Sequence, residues 1–165
     1  MTVRTASPLL QLGRALCVAL LLAASLAIGA TAAAQSRYGL PDGWVEAEPH
    51  EGRLAAMLHS ESLTRMEGWR VKLGQEDLDR FHSQLERRLK GKGFQLDDTS
   101  ETTIDGYPAR ITLWSRSFRG KAFTLQIVEL YRRGEMWQFS SMYREGAEAI
   151  DWEAALMTFA KALLS

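Results

Sequence analysis

The chain has 165 residues, 20 of them basic and 20 acidic, with 46% hydrophobic residues and a single cysteine. This is one domain's worth of ordinary globular composition. A formal net charge of +0 lacks the basic excess of a dedicated nucleic-acid binder, and one cysteine excludes both a disulfide framework and a cysteine-based zinc knuckle.

Residues 1–34 differ in kind from the rest. Arg4 and Arg14 are their only charges, and both precede an apolar run from Ala15 to Ile28 that ends in Thr31-Ala32-Ala33-Ala34. A positive end, a short apolar core and small residues at −3 and −1 make a secretory signal peptide, cleaved between Ala34 and Gln35. The alternative is a retained N-terminal anchor. Cys17 precedes most of the apolar run instead of following it, which is the wrong place for lipid attachment, and it reads as a small hydrophobe. Removing Arg4 and Arg14 leaves 18 basic against 20 acidic residues, a mature net charge of −2. The expected location is the bacterial periplasm or cell envelope, with residues 35–165 as one domain. No polybasic run appears in the sequence, so contact with a membrane is expected only through an uncleaved signal.

In the mature chain, Pro41-Asp42-Gly43 is a turn signal, followed by a short strand over Trp44–Ala47. A second strand is expected over Arg53–His59. Ser60–Gly74 has the weakest pattern, with a strand suggested at Trp69–Leu73, where Trp69, Val71 and Leu73 share one face in a core reading. Gln75–Lys90 is a helix, because Leu78, Phe81, Leu85 and Leu89 make one apolar stripe. Acids crowd its first turn and bases its last, as the helix dipole favours; Gly91 and Gly93 end it. Leu85, at the centre of the stripe, is a predicted core residue.

Four extended segments follow: Phe94–Ile104, Tyr107–Arg119, Ala122–Arg132 and Met136–Tyr143. Asp105-Gly106 supplies a hairpin turn. The later strands carry apolar residues on both alternating sets, which implies layers packed on both faces of the sheet. Asp151 caps a last helix that runs to Leu164. The expected fold class is α+β, an α/β/α sandwich around an antiparallel sheet of about six strands with two principal helices.

No catalytic motif is present. His50, His59 and His82 read as surface or edge residues and not as a metal set, so no cofactor or metal is expected. Four of the five tryptophans fall at apolar positions of predicted elements and read as core. The residues singled out for partner binding are Trp69, in the poorly patterned segment, and the basic cluster Arg87, Arg88, Lys90 and Lys92, whose plainer reading is a solvated helix end.

The order Leu40-Pro41-Asp42-Gly43-Trp44, long helix, Gly93-Phe94, Ile104-Asp105-Gly106-Tyr107-Pro108-Ala109, long hairpin, Gly134-Glu135-Met136-Trp137 and a final helix with Trp152 and Phe159 resembles the PsbP-like superfamily, including exported DcrB-type bacterial members. The resemblance covers nearly the whole mature chain and rests on turns and core positions. It implies an α/β/α sandwich in an accessory or binding module, and it carries over no functional residue. The leading expectation is a non-enzymatic envelope protein that binds another envelope protein or assists assembly. The alternatives are a small-ligand or lipid carrier with a cavity lined by tryptophans, and a hydrolase with a site between helix and sheet, marked by converging histidine and carboxylates.

Overall fold

The computed structural model describes residues 37–146 and 151–165. The expected leader over residues 1–34, with its cleavage point, lies outside them. One antiparallel sheet runs through the described residues: β1 (Trp44–Ala47), β2 (Ala55–His59), β3 (Arg65–Lys72), β4 (Gln95–Ile104), β5 (Tyr107–Phe118), β6 (Lys121–Arg132) and β7 (Glu135–Arg144), in the spatial order β1-β2-β3-β7-β6-β5-β4. Two helices, α1 (Leu78–Gly91) and α2 (Trp152–Leu164), complete it, and a 3₁₀ turn over Gln75–Asp77 leads into α1.

The sheet has seven strands where about six were expected. The least legible is β3. It starts at Arg65, earlier than the expected Trp69, and pairs with β2 on one side and β7 on the other. Its pattern was obscure because one face carries Arg65, Glu67 and Trp69, and the other is interrupted by Gly68. That glycine has a packing reason. A Cβ there would sit 2.7 Å from Leu163 Cδ1 of α2 and 3.2 Å from Phe139 Cδ1, so the helix lies against bare backbone.

The hairpins from β4 to β7 turn through Asp105-Gly106, Arg119-Gly120 and Arg133-Gly134, each pair with positive φ at both residues. That geometry matches the right-handed twist of the flanking strands.

Apolar residues on both alternating sets do build two cores. On one face α2 covers Met57, Met66, Ile111, Val128, Leu130 and Phe139 with Trp152, Leu156 and Phe159. The Asp151 side chain accepts a 2.9 Å bond from the Ala154 amide and caps α2 as expected. On the other face α1 makes a smaller core of Leu89, Phe94, Trp114 and Ile127, with Leu85 packed at its edge. Leu85 is only half-buried, and Leu89 alone among the stripe residues of α1 is fully buried. The stripe is real, but α1 rests partly over a polar band of the sheet.

Three of the four tryptophans read as core, Trp44, Trp114 and Trp152, are buried; Trp137 is half-buried against the main core. The histidine expectation needs correction. His59 is only 6% exposed, lying edge-on to Trp44 and Trp152 with its Nδ1 in contact with the Ser62 amide and hydroxyl. The ring fills the space above Gly43, where a Cβ would come within 2.6 Å of its Nε2.

Candidate functional site

Antiparallel pairing places Trp69, Gln138, Glu129, Arg110 and Glu101 directly beside one another on five successive strands, β3, β7, β6, β5 and β4. This polar row crosses the sheet on the α1 face, between the small core and the start of the helix. Its bonding runs in one direction. Trp69 Nε1 donates to Gln138 Oε1 at 2.5 Å, and Gln138 Nε2 donates to Glu129 Oε1 at 2.9 Å. An indole can only donate, so the orientation of the Gln138 amide is forced, and so is the proton it offers Glu129.

Above the row, α1 brings down His82, whose Nε2 lies 3.6 Å from Glu129 Oε2. That separation is an electrostatic contact and too long for a hydrogen bond. The His82 Nε2 atom is buried with no hydrogen-bond partner among the described residues. Glu129 is 2% exposed. Burial pushes its carboxyl above the ordinary value of 4.5, and the opposing influences of His82, the Gln138 hydrogen bond and Arg110 do not cancel the effect. Arg110 is half-buried and forms no hydrogen bond or ion pair with another described residue, although Glu101 and Glu129 flank it in the row.

These groups wall an open cleft of about 580 Å³ between the start of α1 and the sheet, with Leu78, Pro108, Leu130, Tyr131 and Met136 completing its sides. The volume is in the range of small-molecule sites. The wall is mixed: an apolar body, a cation that closes no ion pair, and a carboxyl–imidazole pair at the base. No tryptophan lines it; Trp44 and Trp137 each line a smaller hollow elsewhere, of about 340 and 370 Å³, and the tryptophans do not gather on one cavity. The convergence of histidine and carboxylate that would mark the hydrolase alternative is present, but the wall contains no serine, threonine or cysteine.

The residues singled out from the sequence are scattered by the fold. Trp69 is neither buried core nor exposed anchor. It is half-buried at the edge of the cleft region, under Phe81 with ring centroids 5.9 Å apart, and Arg53 lies over its ring at 5.5 Å. Arg87, Arg88, Lys90 and Lys92 are exposed at the far end of α1. Lys90 pairs with Glu86 at 2.7 Å, and Arg87 Nε donates to the Ser83 carbonyl. They do not approach the cleft lining. Sequence reasoning missed Glu129, Gln138 and Arg110. The available signal was a carboxylate at Glu129 in the middle of a strand that is apolar on both faces, a position that water does not reach.

A second carboxylate network lies farther along the same face. Glu67 contacts His50 Nδ1 at 2.6 Å, Arg65 Nε at 2.8 Å and Arg53 Nε at 3.4 Å. Burial works to raise its carboxyl, yet the Arg65 hydrogen bond and the Arg65 and His50 charges outweigh it and hold Glu67 below its ordinary range. Among the described residues no cluster of histidine, cysteine and carboxylates could hold a metal ion, and no helix is long and apolar enough to cross a membrane.

Solved structures share this architecture. LpqN of Mycobacterium tuberculosis, described as involved in cell envelope biogenesis, superposes with a TM-score of 0.54 at 20% identity, covering 74% of this chain and 76% of LpqN. Cyanobacterial PsbP (CyanoP) from Synechocystis sp. PCC 6803 gives 0.51 at 10% identity over 76% of this chain and 81% of its own. A Bacteroides thetaiotaomicron protein gives 0.52 at 14% identity, covering 74% of this chain but 41% of the longer one. The fold is PsbP-like. No family model matches the sequence, and no curated protein does.

Proposed function

We propose that the chain is an exported, non-enzymatic accessory protein of the cell envelope, DcrB-like in kind, whose working site is the cleft beneath α1. The observation that carries this reading is Arg110, a half-buried cation that feels the charges of Glu129 and Glu86 but closes no ion pair or hydrogen bond with a described residue, on the wall of a cleft of about 580 Å³. A ligand with a carboxylate head and a short apolar body fits that wall. The head would meet Arg110 and a proton on the His82–Glu129 pair, since charge-assisted bonds in a partly desolvated site are the strong ones. The body would lie along Leu78, Tyr131 and Met136. Envelope localisation draws support from the leader-like residues 1–34 and from the involvement of LpqN in envelope biogenesis.

Titration calorimetry with octanoate, and with octanol as its neutral match, tests the reading. Octanoate should bind and octanol should bind at least tenfold more weakly. Arg110→Gln should remove the difference, because a lost charged hydrogen bond costs about 1.5–3 kcal/mol. Equal binding of acid and alcohol by the wild-type chain would sink the proposal.

A second reading, a hydrolase, is favoured by the convergence of His82 and Glu129 under a raised carboxyl pKa. It requires water as nucleophile, since the wall offers no serine, threonine or cysteine. Ester turnover abolished by both His82→Gln and Glu129→Gln would establish it over the binding role. A partner protein would find its place on the part of the same sheet face beside the small core, where the cross-strand neighbours Val45 and Leu58, followed by Arg65 and Met142, run outward and Val45 and Met142 are 43% and 45% exposed.

A further inference from the structure

The β5–β6 hairpin projects beyond its neighbours. Pairing of β4 with β5 stops at Gln95↔Ser115, and pairing of β7 with β6 stops at Phe123↔Arg144. Ser117–Ala122 therefore have strand partners only in one another, apart from the Glu145 amide that reaches the Ala122 carbonyl. At this tip Phe118 is 50% exposed. The guanidinium of Arg116 lies 5.3 Å from the Phe118 ring centre and that of Arg119 lies 5.2 Å from it. Lys121 stands opposite Phe118 in the hairpin register.

The tip is joined to the end of α1. Arg116 Nη1 donates to the Lys92 carbonyl at 3.3 Å, and its guanidinium covers Phe94 at 4.9 Å. Lys92, Arg116, Arg119 and Lys121 thus converge on one end of the sandwich from positions up to 29 residues apart in sequence. None of the four forms an ion pair with a described carboxylate. Between Asp105 and Glu129 the chain contains no acidic residue at all; near the tip, Asp97 accepts from Ser115 at 3.0 Å and the Glu145 amide bonds the Ala122 carbonyl, while Asp98 and Glu101 pair with β5 farther from it.

We infer that this tip is a docking surface for an anionic lipid bilayer, with Phe118 entering the headgroup boundary and Lys92, Arg116, Arg119 and Lys121 held at the phosphates. An exposed phenyl ring at the point of a projecting hairpin has nothing to gain from water, whereas the interface accepts its apolar body. The surrounding cations are attracted to a negative surface, each by about 1 kcal/mol. A flat acidic protein would satisfy the cations but would leave the projecting ring without a pocket. The membrane expectation from the sequence was confined to an uncleaved signal, since no run of bases is visible there; the cluster exists only after folding. This inference does not depend on the cleft or its ligand.

The test is co-sedimentation of the mature chain that begins at Gln35, free of the apolar leader, with phosphatidylcholine vesicles, with and without phosphatidylglycerol. Phosphatidylglycerol should increase retention, and salt should suppress the increase. The Arg119→Glu, Lys121→Glu double variant should lose that increment by about tenfold or more. Phe118→Ala should weaken binding several-fold while the melting temperature stays unchanged, because the ring is half in solvent. Equal retention of wild-type chain and double variant, or equal retention on both vesicle types, would overturn the proposal. Retention of the wild-type chain on a polyglutamate resin but not on phosphatidylglycerol vesicles would also overturn it, and would assign the tip to an acidic protein.

Discussion

Gln138 and Glu129 face each other across β7 and β6, and the amide of one donates a 2.9 Å hydrogen bond to the buried carboxyl of the other. Trp69 locks the amide from behind. The pair therefore holds a carboxyl group at the base of a cleft with one oxygen satisfied and the other turned toward His82. A buried carboxyl with this partial satisfaction is more costly ionised than protonated.

The first prediction follows from that asymmetry. The folded chain holds the Glu129 proton more tightly than the unfolded chain does, so its contribution to stability is complete below the unfolded value near 4.5 and is lost as pH rises through the higher folded value. The facing groups are His82 from α1, Arg110 from β5 and Gln138 from β7. Glu129→Gln keeps the shape without the charge. Its denaturant midpoint should exceed that of the wild-type chain at neutral pH, and the difference should shrink toward pH 5. A variant less stable than wild type at neutral pH would show that the ionised carboxylate is the favoured form.

Glu67 should behave in the opposite sense. Its folded pKa is depressed, so its contribution is present above the unfolded value and is lost as pH falls through the folded one. Glu67→Gln should lower stability at neutral pH and flatten the acid limb of the melting profile. An unchanged acid limb would mean that the contacts with His50, Arg53 and Arg65 contribute nothing.

The two leucines of the α1 stripe should separate. Leu89, fully buried against Phe94 and Trp114, should cost about 2–4 kcal/mol on truncation to alanine, through lost transfer energy and a residual cavity. Leu85 is half-buried at the edge of that core and should cost about 1–2 kcal/mol, less than a fully buried site requires. Urea melts of the two variants decide the order, and a larger loss for Leu85 would place the centre of the stripe over the core after all.

Gly68→Ala tests the close approach of α2. The added methyl would meet Leu163 Cδ1 at 2.7 Å and the Phe139 ring at 3.2 Å. Overpacking of this order costs about 1–3 kcal/mol. A Gly68→Ala, Leu163→Ala double variant should recover part of the loss, because the contact is with a flexible methyl. Thermal melting of both, with no recovery in the double variant, would locate the strain in the backbone.

Much of the architecture was legible in the residue pattern. Period-2 alternation with apolar residues on both sets in β5, β6 and β7 required layers on both faces, and the Asp-Gly turn and the Asp151 cap marked where elements begin and end. Those signals are local, acting over a turn or a strand. The face on which a residue lies follows from alternation, but its neighbour on the next strand follows from register. Trp69, Gln138, Glu129, Arg110 and Glu101 span 69 residues of sequence, and only the insertion of β3 beside β7 brings the first of them into the row. The same holds for Lys92 and Arg116, 24 residues apart, which meet because α1 ends beside the projecting hairpin. Core residues can be read from sequence because burial of apolar surface is non-directional and needs only a face. Polar sites need particular partners at particular distances, and those are set by the pairing of strands that lie far apart in the chain.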